Sequence, residues 1–134
     1  MNGRRDFLKK ALAAGGAVAV AGAGRLGAAT KFPPGIVYTQ ADPGRWKGKE
    51  GAHVPKVTVT GATLKMVNTH PVTPQHYIVK HTLLTPEGKV LGEKTFSSSE
   101  APESTYTLPA GFKGTVWATC FCNIHDFWLA EVTV

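Results

Sequence analysis

Cysteine and methionine are scarce in this chain, which has two of each among its 134 residues. Two cysteines exclude a disulfide-rich scaffold, a four-cysteine zinc or rubredoxin-like knot, and an iron–sulfur cluster held by four thiolates of this chain. The length allows one domain of ordinary size and leaves no room for a second catalytic domain. Because 43% of the residues are hydrophobic and 18% are charged, the composition is typical of a folded globular protein.

Net charge is low outside the N-terminal segment. Residues 1–29 contain five basic side chains and one acidic side chain, so they carry +4 of the formal charge of +6. Residues 30–134 therefore carry only +2, and they contain no basic stripe. This distribution argues against a nucleic acid as a partner.

The N-terminal segment has the pattern of an export signal. The pair Arg4-Arg5 precedes a weakly apolar run of small residues at 11–24. This pattern resembles a twin-arginine signal, the route that exports proteins already folded. We therefore expect residues 1–29 to engage the twin-arginine translocase and the protein to be periplasmic or exported. Export after folding would allow a cofactor to be inserted beforehand.

Two sites fit removal of this leader by cleavage, one after Ala23 and one after Ala29, because small residues precede both. The alternative is an uncleaved membrane anchor. The apolar run is shorter than the ~20 residues that span a bilayer, which favours cleavage.

The rest of the chain predicts an all-β fold. Short segments rich in β-branched and aromatic residues alternate with turn signals. In Thr85-Pro86-Glu87-Gly88, for example, proline presets φ and glycine accepts a positive φ, so the flanking segments form a hairpin. We expect an immunoglobulin-like antiparallel β-sandwich or barrel of about seven strands. The candidate strands are roughly 36–39, 56–60, 63–67, 76–84, 89–96, 104–108, 114–121 and 128–134.

Candidate metal ligands are concentrated in three separate segments. These are His53-Val54-Pro55, the stretch from His70 to His76, and Cys122-Asn123-Ile124-His125. Imidazole and thiolate suit zinc, copper or iron, whereas the carboxylates that magnesium and calcium prefer are missing here. Cys122 and His125 are spaced so that one tight loop presents both side chains to a single ion. Prolines at 71 and 74 keep the second segment out of a central strand and hold it as a stiff loop.

Two further residues of ligand type are assigned to the fold. His81 lies five positions after His76, so on one extended strand it faces the opposite side. Cys120 is interpreted as a small buried hydrophobic residue on the strand that leads to Cys122. A disulfide between the two cysteines is disfavoured, because two residues of strand span ~6.6 Å, near the upper limit for a bridge.

The composition of the ligand set distinguishes among the metals. Zinc prefers four ligands in a tetrahedron, and this set offers five. Blue copper requires a weak axial ligand, usually methionine after the last histidine, and no methionine follows His125. Four neutral imidazoles and one thiolate match a mononuclear non-haem iron that is five-coordinate with one open position.

These motifs resemble those of superoxide reductase, the desulfoferrodoxin/neelaredoxin family. The likeness covers about residues 45–134 and rests on His-Val-Pro at 53–55, His-Pro-x4-His-Tyr-Ile at 70–78, and Cys-Asn-x-His-x-x-Trp at 122–128. It implies an immunoglobulin-like fold and one iron (Fe2+/Fe3+) per chain, held by four equatorial imidazoles and an axial thiolate. It also implies one-electron reduction of superoxide to hydrogen peroxide. The implied ligands are His53, His70, His76, His125 and Cys122.

The resemblance also bears on domain organisation and partners. Without a four-cysteine N-terminal domain, the chain resembles the one-iron class. Residues 30–52 are interpreted as an N-terminal segment and loop, and residues 53–134 as the iron-binding domain, with the fold beginning near residue 33. The expected partners are superoxide and an electron donor such as a rubredoxin-like or cytochrome-type protein, and a homo-oligomer is left open.

The chain departs from the family pattern in two places. The family usually has Glu-Lys directly before His-Val-Pro, where lysine attracts superoxide and glutamate can ligate oxidised iron. Here Lys49 and Glu50 precede His53 out of register, and they are the candidates for the steering role and for a sixth ligand. Asp126 follows the last histidine where the family commonly has glycine. The alternatives are an iron-binding or electron-transfer protein with little reductase activity, a cupredoxin-like copper protein, and a purely structural module.

Overall fold

Eight strands and two short helical turns make up residues 31–134, the part of the chain that the computed structural model describes. The predicted leader, residues 1–29, lies outside the described residues. The strands are β1 (Val37–Tyr38), β2 (Lys56–Thr60), β3 (Thr63–Val67), β4 (Ile78–Leu84), β5 (Val90–Thr95), β6 (Glu103–Thr107), β7 (Thr115–Cys122) and β8 (Asp126–Thr133). A 3-10 turn spans Gly44–Trp46, and a single-turn α-helix, α1, spans Glu50–His53.

The strands form two sheets. The larger sheet has the order β1-β8-β7-β4-β5, and the smaller has the order β2-β3-β6. All neighbours are antiparallel except β1 and β8, which pair in parallel through Val37 and Tyr38. The predicted all-β class is confirmed. The pairing is antiparallel as expected, apart from the two-residue strand β1, which lies parallel to β8.

Alternation of side chains along the strands places the core between the sheets. In β3, Leu64 and Met66 are fully buried while Thr63 and Lys65 face solvent, as the two-residue period of a strand requires. One buried cluster fills the end of the molecule opposite the candidate ligands, and it consists of Leu64, Met66, Leu83, Leu108, Val116 and Ala118. The other includes the candidate ligand Cys122 and consists of Tyr38, Ile78, Phe96, Cys120, Cys122 and Trp128.

Two local predictions concern β7 and the turn after β4. Cys120 and Cys122 both point inward from β7, both are fully buried, and both are free thiols. The turn that joins β4 to β5 closes through a hydrogen bond of 2.9 Å from the Gly88 N–H to the carbonyl of Thr85, with Gly88 at a φ of 92°. Within residues 31–134, no helix is long and apolar enough to cross a membrane.

Candidate metal centre

His53 is the last residue of α1. The helix has one turn, and its backbone bond from the Val54 N–H to the carbonyl of Glu50 measures 2.9 Å. The Nδ1–H of His53 donates to the carbonyl of Lys49 at 2.7 Å, which turns Nε2 toward the interior. The ring also packs on the buried indole of Trp128, with centroids 5.5 Å apart. His53 is therefore fixed on two sides.

His70 and His76 lie at the two ends of the proline-containing loop. His70 donates its Nδ1–H to the carbonyl of Pro71 at 2.6 Å. Thr73 and His76 exchange backbone hydrogen bonds of 3.0 and 3.2 Å, and the Thr73 hydroxyl oxygen accepts a further bond from the His76 N–H. β4 begins only at Ile78, so the predicted strand 76–84 was too long at its start because this turn occupies its first residues.

Cys122 and His125 lie on the turn that joins β7 to β8. Asn123 attaches this turn to the loop that carries His76. Its side-chain oxygen accepts from the Tyr77 N–H at 3.0 Å, and its Nδ2 donates to the carbonyl of Gln75 at 3.0 Å. The Trp128 indole N–H donates to the carbonyl of His125 at 2.7 Å. The spacing of the motif thus places two ligands and two residues that fix the turn.

Four imidazole nitrogens form a closed ring. The distances are 3.1 Å from His53 Nε2 to His70 Nε2, 3.1 Å from His70 Nε2 to His76 Nε2, 3.0 Å from His76 Nε2 to His125 Nδ1, and 3.1 Å from His125 Nδ1 back to His53 Nε2. Neighbouring rings have centroids 4.4–4.8 Å apart, whereas His53 and His76 are 6.2 Å apart. The centroid distance between His53 and His76, which lie across from each other, is thus longer than the distances between neighbours. This is the pattern of a square, since all corners of a tetrahedron are equally distant.

The sulfur of Cys122 lies off this square. It is 3.6 Å from His70 Nε2 and 3.8 Å from His125 Nδ1, which occupy opposite corners. Nearly equal distances to these two corners place the sulfur close to the plane midway between them. All five donor atoms lie within 4.8 Å of one another. Cys122 is fully buried, whereas the His76 and His125 side chains are partly exposed, so the sulfur is on the interior side of the site.

The donor set fits a cation. Because backbone carbonyls only accept hydrogen bonds, the protons of His53 and His70 are on Nδ1, and both Nε2 atoms keep a lone pair. These lone pairs face each other across 3.1 Å, which is unfavourable unless a positive ion attracts both. Half the diagonal of a square of that side is about 2.2 Å, close to the ~2.0–2.1 Å of a zinc–imidazole bond. Imidazole and thiolate donors suit zinc, copper and iron, and a square of nitrogens disfavours tetrahedral zinc.

Burial favours the neutral form of the His53 and His70 imidazoles. It lowers the pKa of His53 to about 4, and the positive charge that His70 and His125 can take acts in the same direction. Burial is also the main cause of the lowered pKa of His70. Burial raises the pKa of the Cys122 thiol, while the backbone N–H groups of His125 and Ile124 lower it in part. Neutral imidazoles are the form that binds a metal.

Comparison with known families decides the identity of the fold and its motifs. The sequence model of the desulfoferrodoxin family matches residues 45–131, a span that contains all five candidate ligands. The chain belongs to the desulfoferrodoxin family. The predicted family is thereby confirmed. No curated protein matches the chain.

Solved structures of the desulfoferrodoxin type share the fold. A variant of the superoxide reductase (neelaredoxin) from Ignicoccus hospitalis is 23% identical, with a TM-score of 0.68 over 78% of this chain and 98% of that chain. At this identity the likeness shows the fold alone. A variant of the superoxide reductase (neelaredoxin) from Archaeoglobus fulgidus, in the reduced form, is 27% identical, with a TM-score of 0.56 over 66% of this chain and 92% of that chain. A superoxide reductase in the oxidised state is 26% identical, with a TM-score of 0.59 over 74% of this chain and 96% of that chain.

Asp126, the residue after the last ligand histidine, adopts a backbone conformation that glycine favours. Its φ is 66°, and it is the one residue other than glycine with a positive φ among residues 31–134.

The carboxylate of Asp126 accepts hydrogen bonds from the Arg45 guanidinium and, at 2.9 Å, from the Trp46 indole N–H. These bonds lower the pKa of the carboxyl. Trp46 in turn meets the His125 ring edge-on, with centroids 4.7 Å apart, so Asp126 joins the first turn of the domain to the ligand loop.

The structure brings together His53, His70, His76, Cys122 and His125 and leaves the other candidates outside the cluster. His81 and Cys120 are fully buried elsewhere, in agreement with their assignment to the fold. Lys49 lies near enough to His125 for its charge to lower the pKa of that imidazole, after burial and His76. The Glu50 carboxylate instead accepts a hydrogen bond of 2.9 Å from the Gly48 N–H.

Sequence reasoning missed several residues that hold the ligands. Asn123 and Trp128 belong to the third motif, so their positions in that motif could have identified them. Trp46 and Asn68 lie outside every motif, and no sequence pattern points to them. Met66 is fully buried in the apolar cluster with Leu64 and Leu83, whereas Cys122 belongs to the other cluster.

Proposed function

We propose that this protein is an iron-dependent superoxide reductase, which adds one electron and two protons to superoxide and releases hydrogen peroxide. The observation that carries the proposal is the square of four imidazole nitrogens with the buried sulfur of Cys122 on its interior side. An iron ion bound by these five residues would supply the electron by passing from Fe2+ to Fe3+. The similarity to solved superoxide reductases at 26% and 27% identity supports the same assignment.

Cys122 supplies negative charge on the buried side of the site. A thiol that coordinates a cation is deprotonated. The backbone N–H groups of Ile124 and His125 favour the thiolate as well, because they donate to the sulfur. Electron donation from a thiolate makes a bound metal a better reductant. The partly exposed rings of His76 and His125 leave the site within reach of water, so solvent supplies the two protons.

Lys49 supplies positive charge at the entrance. Its charge acts on His125, and a cation beside a metal site raises the capture rate of a small anion such as superoxide. Lys49 thus takes the steering role although it is four residues before His53. Glu50 would act as a sixth ligand in the oxidised state only after its bond to the Gly48 N–H breaks.

Export and electron supply belong to the same proposal. The twin-arginine pattern at Arg4-Arg5 supports delivery to the periplasm as a folded, metal-loaded protein. A rubredoxin-like or cytochrome-type protein would return the electron after each turnover, because the reaction consumes one electron per superoxide.

Pulse radiolysis of the iron-loaded protein tests the activity. We expect rapid decay of superoxide with formation of hydrogen peroxide and without formation of oxygen, and a visible thiolate-to-Fe3+ charge-transfer band in the oxidised protein. Cys122→Ser removes the sulfur and should abolish the band. Cys120→Ala is the matched control, because this buried cysteine lies two residues away and outside the cluster. A wild-type protein that binds iron and leaves superoxide unconsumed would refute the proposal.

A further inference from the structure

Three buried polar side chains connect the core to the carbonyls of the helix that presents His53. Asn68 directly follows β3, His81 lies on β4, and Ser104 lies on β6, so the group bridges the two sheets. None of the three is more than 5% exposed. Asn68 Nδ2 is 3.0 Å from the carbonyl of Ala52 and 3.0 Å from the carbonyl of His53. None of the three side chains belongs to the candidate ligands.

The hydrogen-bond role of every polar atom in this group follows from those two carbonyls. Since carbonyls only accept, Asn68 must direct its NH2 group toward them, and its Oδ1 is left as an acceptor. Oδ1 lies 2.7 Å from His81 Nε2, so His81 carries its proton on Nε2. His81 Nδ1 is then an acceptor for the Ser104 hydroxyl, at 2.7 Å. If the Asn68 amide were reversed, an oxygen would face both carbonyls and an NH2 group would face the imidazole N–H.

The helix requires this support from outside. A helix of four residues is too short to be stable alone, and the carbonyls of its last turn have no partners within it. Asn68 satisfies two of those carbonyls from a position 15 and 16 residues away in the chain. One of them belongs to His53 itself. Pro55 lies two residues after His53, so the chain has no N–H at that position with which to cap the helix.

We propose that Asn68, oriented by His81, is a positioning residue for the metal centre, because it fixes the backbone of α1 and hence the imidazole of His53. The proposal rests on metal binding by the five-residue cluster and deepens the function proposed above. Partners that orient metal ligands from outside the coordination sphere typically contribute 10–100-fold to metal affinity. A loss of that size is the expected effect of removing the Asn68 donor.

The test is Asn68→Asp, which has nearly the same shape but presents an oxygen to both carbonyls. Cobalt(II) affinity measured by competition with a chelator should fall about 10–100-fold. The ligand-field spectrum of the cobalt protein should change, since the His53 nitrogen moves. In the metal-free protein, amide exchange of Val54 should become faster because its bond to the carbonyl of Glu50 opens. Asn68→Ala, which lacks both donors and adds no charge, should give the same changes if the aspartate variant does not fold.

Val116→Ala is the control for lost stability. Val116 is fully buried in the opposite cluster, so its truncation destabilises the fold without touching α1. It should leave cobalt affinity and spectrum at the wild-type values. Asn68 variants with wild-type affinity and spectrum would overturn the positioning role. Failure of the iron protein to consume superoxide would count against the reductase proposal alone, because the cobalt and exchange measurements do not depend on it.

Discussion

Acidification should weaken the fold through His81. This imidazole is fully buried on β4, and its pKa is lowered to about 4 by burial and, secondly, by the positive charge of Lys94. In the unfolded chain the pKa is near ~6.5. Between these values the unfolded state binds a proton that the folded state does not. The free energy of unfolding therefore falls as the pH is lowered from about 6.5 to 4, and the contribution of neutral His81 is fully present above that window.

The magnitude follows from the same two values. Each pH unit inside the window changes the free energy of unfolding by about 1.4 kcal/mol. Lowering the pH from 7 to 5 should therefore remove about 2 kcal/mol, because titration begins only near the unfolded pKa. With a urea dependence of about 1–3 kcal/mol per molar, the unfolding midpoint should shift by about 1 M.

The assay compares urea unfolding of the wild type and of His81→Gln at pH 7 and pH 5, at equal metal content. Glutamine keeps an amide N–H for the Asn68 oxygen but does not titrate. The contributions of the metal-ligand histidines are common to both proteins and cancel in the difference. We expect the wild type to lose about 2 kcal/mol more than the variant over this pH range.

A parallel loss of stability in the two proteins would refute the reasoning. It would mean that His81 takes up a proton in the folded state, so that its bonds to Asn68 Oδ1 and Ser104 have other donors and acceptors than those assigned. The absolute stability of the variant does not enter, since only the change between the two pH values is compared.

Two further predictions concern residues where the chain departs from its family. Asp126→Gly should change the free energy of unfolding, measured by urea titration, by less than about 1 kcal/mol. Relief of the positive φ offsets the loss of the exposed ion pair with Arg45. A loss of several kcal/mol would contradict this. Lys49→Gln should slow superoxide consumption several-fold at low salt and little at high salt, since salt screens the charge. Lys65→Gln is the control, because Lys65 pairs with Glu103 on the three-stranded sheet. Equal slowing in both variants would argue against steering.

Most of the strands could be predicted because their signals are local. β2 and β3 have the predicted bounds, since alternating β-branched residues and the intervening glycine turn act within a few residues. β8 begins two residues earlier than expected, at Asp126. Its register with β7 pairs Asp126 with Cys122, so the hairpin fixes where the strand starts. That register depends on a neighbouring strand and is not contained in the propensity of the segment.

The α1 helix and its supports could not be predicted, for a reason of length and distance. Four residues are too few to show a helical period, and the helix is held by Asn68, which lies 15 residues beyond His53. The ligand types were visible because imidazole and thiolate are chemically distinctive. Asparagine is not, since its side chain serves turns and caps throughout proteins.

Asp126 shows how a departure from a family pattern can be explained only by a distant part of the chain. The resemblance leads to an expectation of glycine at this position, and the positive φ found there is a conformation that glycine favours. What makes aspartate acceptable is a pair of donors 80 and 81 residues away, the Trp46 indole and the Arg45 guanidinium. The same contact holds Trp46 against the His125 ring, so the residue that strains the ligand loop also attaches the preceding segment to it. A chain that restored glycine at this position would relax the backbone and lose that attachment, and the two changes are therefore expected to occur together.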